Sequence, residues 1–587
     1  MEKKLFEAIN RFRKNKLYVL ISEIVFIGLI VLMALVKVNK GLDITDSSYS
    51  LSNFVNIHKL DSMWYFSTFY SNLLGRIFTV LPMGKTMLGL NFYTGLVKLA
   101  IALVAYFFFT KEVKVSRELT FIGVLVSVAL CWCPTTILYN YLTYLFFFLG
   151  CMFLYKGAVR SSRRYLILAG AALGSNFFVR LPNICEVALI AALWIYEIAK
   201  REKFFEVFKK TLYCMLGYAA GLVPGILLIG VHRGYKEYVK GISELFSMTD
   251  ESASYSPVEM VLSVLRQYIE TWKWTEIAVF ALIVALLAFL VLPSTLSWLR
   301  YVLATISTLG FGFLLYKKGL FDLNFHWFGP VYRFGALILS IAIVWFLFVL
   351  CHKKTPAEER LLSAIALIVI AITPLGSNND IYSNLNNMFF VLPVVLYLVV
   401  RFIDVNEYFA GVRYAYLCLI LAFSLLSTVF GVTYVFRDGL DAKMDTYVTG
   451  NERMKGMKTT ESNAKNLTEL SAFWKEENLS DSKVLLFGDV CGLGFYLDTD
   501  IAISTAWPNL PSFSTDKFEK EMKELSARIT EKGEAYPSVI IQDESGDGMH
   551  MPGAEEKKEI LNEFLDKNGY EIVYSNDVLK VYLTNKK

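Results

Sequence analysis

The chain has 587 residues, of which 55% are hydrophobic and only 19% charged, with 45 Phe and 33 Tyr. A mean hydropathy of +0.46 excludes an ordinary soluble protein and fits a polytopic membrane protein with a soluble portion attached. The net charge of +5 is small, and no basic block interleaved with aromatics occurs, so nucleic acid is not expected as a partner.

The amino end is basic (Lys3, Lys4, Arg11, Arg13, Lys14, Lys16) and is followed by the apolar run Leu17–Val38. That run is about the length needed to cross a bilayer core. It lacks the short apolar core and small-residue cleavage site of a secretory signal, so it reads as a retained anchor. Further apolar runs lie at 86–109, 119–134, 136–155, 165–179, 184–199, 211–231, 275–292, 301–316, 331–350, 361–375, 389–403 and 414–435. The expectation is therefore an all-α membrane domain of about thirteen transmembrane helices.

Lysine and arginine gather in alternate connections, at 111–118, 156–164, 200–210, 297–300, 351–360 and 401–413. By the positive-inside rule these face the cytoplasm. The amino end is then cytoplasmic, and the loop 38–66, RLPN (180–183), the long connection 232–274, 317–327 and 376–388 face outward. Lys317 and Lys318 run against the rule. Lys98 falls within the second run, where a charge needs a partner or water; Glu23 is one candidate partner.

The first outer loop contains GLDITDSSYSLSNF (41–54), with two aspartates three residues apart and no lysine or arginine. Carboxylates there are available as a base or to hold a cation. Spacing of three would place both on one side of a helical turn. The same residues also suit the capped start of a helix.

After Tyr434 the chain becomes charged and has no spanning run. Residues 437–480 read as a polar helical linker and 481–587 as a small α/β domain on the outer side. VLLFGD (484–489), IAIS (501–504) and SVIIQ (538–542) read as strands, 515–532 and 554–567 as amphipathic helices, and 571–583 as a hairpin. FGDVCGLGF (487–495) lacks a full dinucleotide fingerprint and is not read as a cofactor site. The eight cysteines show neither CxxC nor Cys/His metal spacing and read as packing residues, without disulfide or zinc.

An amino-terminal anchor, an acidic first outer loop, ten or more further spans and an outer α/β domain together resemble the GT-C superfamily of membrane glycosyltransferases. The resemblance covers residues 1–436 in layout. In motif it rests on Asp43-Ile-Thr-Asp46-Ser-Ser-Tyr49, where many members have an Asp-Glu pair followed by an aromatic. It implies transfer of a sugar from a polyprenyl-phosphate carrier to a cell-surface glycan or lipid acceptor, with inversion, at the outer face of the cell membrane. Asp43 or Asp46 would be the general base, and a divalent cation at the pair is left open. A lipid-linked sugar flippase or a glycan polymerase is the alternative.

Such chemistry calls for phosphate and hydroxyl partners near the outer face. Substrate-binding candidates are Tyr49, then His58 and Asp61 in the same loop, Arg180 of RLPN, and His326 and Arg333 of FHWFGPVYRF. Asn378 and Asn379 in the asparagine-rich loop 376–388 complete the set, since amides bond sugar hydroxyls as donor and acceptor together. An interfacial aromatic belt, a snorkelling arginine and a turn-rich loop account for several of these equally well.

Overall fold

Inside a bilayer an apolar run must satisfy its own backbone, which leaves the helix as the available form. The computed structural model describes residues 15–131, 136–247, 257–325, 327–376, 379–403, 410–438 and 443–586. Among them, nine helices are long and apolar enough to span: Lys16–Leu35, Met87–Val113, Leu138–Val159, Leu181–Ala199, Phe204–His232, Trp272–Val291, Ser294–Lys317, Val331–Cys351 and Ala410–Thr433.

The other four apolar runs are helical but shorter: Arg117–Leu130, Arg163–Asn176, Ala357–Ile372 and Val391–Ile403. At 1.5 Å per residue they reach only about 20–24 Å, short of a core of about 30 Å. Thirteen full-length spans are therefore not found. Proline explains one case: Pro356 and Pro374 bracket Ala357–Ile372, whose core-facing positions are closely packed.

The connections read as basic are tied at one end of the helical body. Lys111 pairs with Glu23 at 3.5 Å, Lys156 with Glu112 at 3.0 Å, and Arg401 with Glu359 at 3.3 Å. Glu23 is thus spent on Lys111 and is not the partner of Lys98. The other end is tied by backbone acceptors. Thr136 Oγ1 donates to the Ser47 carbonyl at 2.8 Å, and Arg233 donates to the carbonyls of Leu60 and Ile57 at 2.6 and 2.9 Å.

Beyond Ala410–Thr433 a short ladder forms between β1 (Thr446–Tyr447) and β2 (Lys458–Thr459). A four-stranded sheet follows, made of β3 (Val484–Phe487), β4 (Ser538–Gln542), β5 (Tyr570–Ser575) and β6 (Leu579–Thr584) in the order β3-β4-β6-β5. β3 and β4 are parallel; the β4–β6 and β6–β5 pairs are antiparallel. Helices Thr515–Lys532 and Ala554–Asn568 lie where amphipathic periodicity puts them. IAIS does not form a strand: only Ile501 bridges Val484, and the sheet takes its second antiparallel pair from the hairpin instead.

The segment read as a linker carries β1, β2 and the helix Glu461–Glu476. Leu467, Leu470 and Trp474 of that helix share one buried cluster with Val484 and Leu486 of β3, and with Leu42, Leu51, Phe54 and Met87 from the membrane portion. Burial of common apolar surface, at roughly 25 cal/mol per Å², holds the sheet domain against the first loop. Backbone bonds reinforce it, with Gly41 N donating to Lys458 O and Met87 N to Arg453 O, each at 2.8 Å.

Candidate functional site

The acidic loop condenses around one short helix, Asp46–Val55. A helix start leaves its first N–H groups without partners. Asp43 supplies them from just upstream: Oδ2 accepts from Ser47 N at 2.8 Å, and Oδ1 accepts from Thr45 N at 3.1 Å and from the Thr45 hydroxyl. Asp43 is 4% exposed. Burial raises its carboxyl, and the Thr45 and Ser47 bonds oppose the rise. The two aspartates do not share a helical face, because the helix begins at Asp46.

Asp46 opens that helix with its side chain 33% exposed, and Oδ2 lies 3.3 Å from Arg437 Nη1. The same guanidinium nitrogen donates to Thr45 Oγ1 at 3.2 Å. A chain of polar contacts therefore runs Asp43–Thr45–Arg437–Asp46. The Asp46 carboxyl is pushed up to about 6, first by burial and then by the Asp43 charge; Arg437 opposes the rise and Asp489 adds to it. A carboxylate poised there changes protonation within reach of neutral pH, as a general base requires.

The sheet domain completes this surface. The turn after β3, Gly488–Gly492, lies on the first loop: Gly492 N donates to Ile44 O at 2.9 Å and the Cys491 thiol to Thr45 O at 3.3 Å. Gly492 is required by the close approach, since a Cβ there would meet Ser48 Cβ at 2.1 Å. The Tyr496 hydroxyl lies 2.5 Å from Ser48 Oγ. Asp489 is held by its own N–H bond to Gln542 Oε1 at 2.7 Å. Its carboxyl is raised by burial, and Arg437 and the Trp507 indole oppose the rise.

Tyr49 is half-buried, with Trp64 edge-on at 5.9 Å and Trp507 at 5.8 Å between ring centroids. Trp507 itself is 4% exposed and belongs to the shared core. Beside Arg437, a cavity of about 130 Å³ opens between loop and domain, lined by Ile44, Asp438, Asn463, Asn466 and Asn576. Asp438 takes bonds from Leu42 N, Thr459 Oγ1 and Asn463 Nδ2, at 3.1, 2.6 and 2.7 Å, and so fixes that wall.

The remaining candidates are dispersed. Arg180 is half-buried, donates to the Gly376 carbonyl, and lies 5.7 Å from the Tyr139 ring. Tyr139 packs against the same apolar cluster as Tyr49, and Arg180 has no contact to either aspartate among those described. Glu186 is bound by Asn176 at 2.7 Å. Asp61 caps the helix Ser62–Ser67 through Met63 N at 2.9 Å and pairs with Lys517 at 3.6 Å; it fastens the sheet domain to the first loop. His58 is exposed and meets Arg233 through its carbonyl.

Arg333 is exposed, 5.7 Å from the Trp327 ring, with Gly319 O at 3.5 Å. Asn379 accepts from Tyr382 N at 3.0 Å through its carbonyl, and the neighbouring Asp380 is bonded to Gln267 at 2.8 Å. Loop 376–388 thus ties to the helix Pro257–Glu270. His326 and Asn378 lie outside the described residues. Arg437, Asp489 and Trp507 were not anticipated as partners of the aspartates; the signal available was the charged Arg437-Asp438 pair directly behind the last apolar run.

The pair as held does not suit a divalent cation. Both Asp43 oxygens already accept bonds, and Oδ2 of Asp46 faces the Arg437 guanidinium. Among the described residues no group of three or more His, Cys, Asp or Glu side chains could hold a metal ion.

No family model matches the chain, and no curated protein matches it. Among solved structures it is similar to the Archaeoglobus fulgidus oligosaccharyltransferase in complex with Zn and sulfate, with TM-score 0.47, 12% identity, and coverage of 95% of this chain and 73% of that one. It is also similar to ArnT from Cupriavidus metallidurans bound to undecaprenyl phosphate, with TM-score 0.42, 12% identity, and coverage of 95% and 97%. Arabinosyltransferase EmbB from Mycobacterium smegmatis aligns over 72% of this chain and 41% of its own, with TM-score 0.32 and 12% identity. These are long, loose alignments, with every TM-score below 0.5.

Proposed function

We propose that this chain is a membrane glycosyltransferase of the GT-C kind, moving a sugar from a polyprenyl-phosphate carrier to a glycan or lipid acceptor, with Asp46 as general base. The observation that carries the reading is the division of labour between the aspartates. Asp43 is consumed by capping bonds, while Asp46 is accessible, paired with Arg437 and raised to about 6. A base of that strength accepts the acceptor hydroxyl's proton as the oxygen attacks the anomeric carbon. Attack from the face opposite the carrier phosphate inverts that carbon, and the phosphate leaves with the bonding electrons.

The acceptor sugar fits the cavity bordered by Asn463, Asn466 and Asn576, whose amides match hydroxyl groups. Arg180, which stands over the Tyr139 ring, is proposed to contact the donor phosphate. Counting the four short helices as passes puts the amino end and the sheet domain on opposite sides of the membrane. With the basic connections in the cytoplasm, Asp46 faces outward across the plasma membrane.

The test is transfer by purified full-length protein in lipid nanodiscs, offered a panel of polyprenyl-phosphate sugars and glycan or lipid acceptors. A glycosylated product with inverted anomeric configuration is expected from at least one donor. Absence of transfer from every donor, under conditions where the protein is folded, overturns the reading.

A further inference from the structure

The connection between the spans Phe204–His232 and Trp272–Val291 contains two further helices, Tyr235–Ser247 and Pro257–Glu270. Unlike the spans, each carries charges along one side and apolar residues along another. The first is fixed by its inner face. Gly241 lies so close to the helix Ser62–Ser67 that a Cβ there would meet Ser62 O at 2.5 Å. The Ser62 hydroxyl donates to Glu237 at 2.6 Å, and the Tyr238 and Phe66 rings meet edge-on at 5.2 Å. Glu244 lies 3.8 Å from Lys517 of the sheet domain. The second helix is fixed by Gln267, which donates to Asp380 at 2.8 Å and accepts from Ile381 N at 2.9 Å.

A different side of each helix is apolar and open. Val239 is 65% exposed, and Tyr235 and Ile242 stand with it at helical spacing along one stripe. On the second helix Val258, Leu262, Leu265 and Ile269 form the same pattern, with Ile269 71% exposed. Aligned apolar faces of this kind mark a surface that takes a partner. Both stripes run on into the exposed apolar sides of spans. Val231, in the last turn of the preceding span, is 82% exposed and stands one turn before Tyr235. Gly234, with φ +85°, turns the chain between them. Beyond Ile269 the stripe continues through Trp272 to Val279, Phe280 and Ile283, exposed residues of the following span.

We propose that the helices Tyr235–Ser247 and Pro257–Glu270 lie in the outer headgroup boundary of the bilayer, with their apolar stripes in the acyl chains. An amphipathic helix so placed buries its apolar side beneath the headgroups and keeps its charges in water. Tyr235 and Trp272, where the chain leaves and re-enters the spans, are residue types suited to that boundary. The charged edges are internally paired, Lys240 with Glu244 at 4.0 Å and Arg266 with Glu259 at 2.5 Å. The partner is therefore a lipid surface held by apolar contact, without a requirement for anionic headgroups. Because the first helix also contacts Ser62 and Lys517, the bilayer sets the height of the first loop and the sheet domain through it.

The assignment requires no transfer reaction, and its test involves none. A nitroxide is attached at Val239→Cys or at Ile269→Cys, in full-length protein carrying Cys351→Ser to remove the exposed cysteine among those described. The protein is placed one copy per phosphatidylcholine nanodisc. Power saturation compares relaxation by oxygen, which concentrates in acyl chains, with relaxation by a water-soluble nickel chelate. Both stripe labels are expected to be relaxed several-fold more by oxygen than by nickel. Labels at Ser243→Cys and Glu270→Cys, on the charged edges, should show the reverse. Tyr235→Cys and Leu265→Cys serve if a first variant fails to fold. Stripe labels that nickel reaches as readily as the edge labels overturn the proposal. Stripe labels shielded from both reagents assign the surface to a protein cover and overturn it too.

Discussion

Arg437→Met probes the state of Asp46 without touching the aspartate. The guanidinium nitrogen is 3.3 Å from Oδ2 and the arginine side chain is 49% exposed. Two unit charges at that spacing attract by about 1 kcal/mol in a water-like dielectric and several-fold more in a dry one. With half the arginine in solvent the lower figure applies, and about 1.4 kcal/mol corresponds to one pKa unit. Asp46 should therefore rise from about 6 to roughly 7.

Since the base must be unprotonated to act, kcat/KM falls as pH drops through that value. The acid limb of the kcat/KM profile, measured from pH 5 to 9, is expected to move about one unit toward alkaline pH in Arg437→Met. Arg437→Lys should restore most of the shift. A limb that stays near 6, or moves to lower pH, refutes the coupling between Arg437 and the reacting carboxylate.

Asp43→Ala removes the acceptor for Ser47 N and Thr45 N and is expected to cost about 1–2 kcal/mol, read as a lower melting temperature, while the folded fraction still transfers sugar. Gly492→Ala forces a methyl against Ser48; transfer should drop at least tenfold, with protease sensitivity rising between the first loop and the sheet domain. Trp507→Ala opens a void beside Tyr49 worth about 3 kcal/mol, read as domain loosening by hydrogen exchange, and Trp507→Phe should recover most of the protection.

How much of this was legible in the sequence follows from the range of each interaction. Apolar runs are local, so every one of them is found as a helix. Their length is not local, because it depends on prolines such as Pro356 and on packing against neighbours, and four stop short of a full span. The loop 41–54 was legible as an acidic segment. Which aspartate stays free was not, since Asp43 and Asp46 differ only in who caps the helix start.

The counter-ion was hidden by distance along the chain, as Arg437 lies almost 400 residues from Thr45 and Asp46. Asp489 and Trp507 were read as parts of a separate domain, and only the shared core around Leu42, Met87 and Trp474 brings them to the site. Lys98 stood out as a charge in an apolar run, whereas Lys37 and Lys40, which line a cavity with it, come from another helix end, out of reach of a local reading.

The most direct measurement compares Asp46→Asn with Asp43→Asn in transfer from a polyprenyl-phosphate sugar, using folded protein in nanodiscs. Loss of a general base is worth about 10²–10⁴ in rate. The account predicts that Asp46→Asn falls by at least a hundredfold while Asp43→Asn, corrected for folded protein, stays within tenfold of wild type. Wild-type turnover in Asp46→Asn would contradict it.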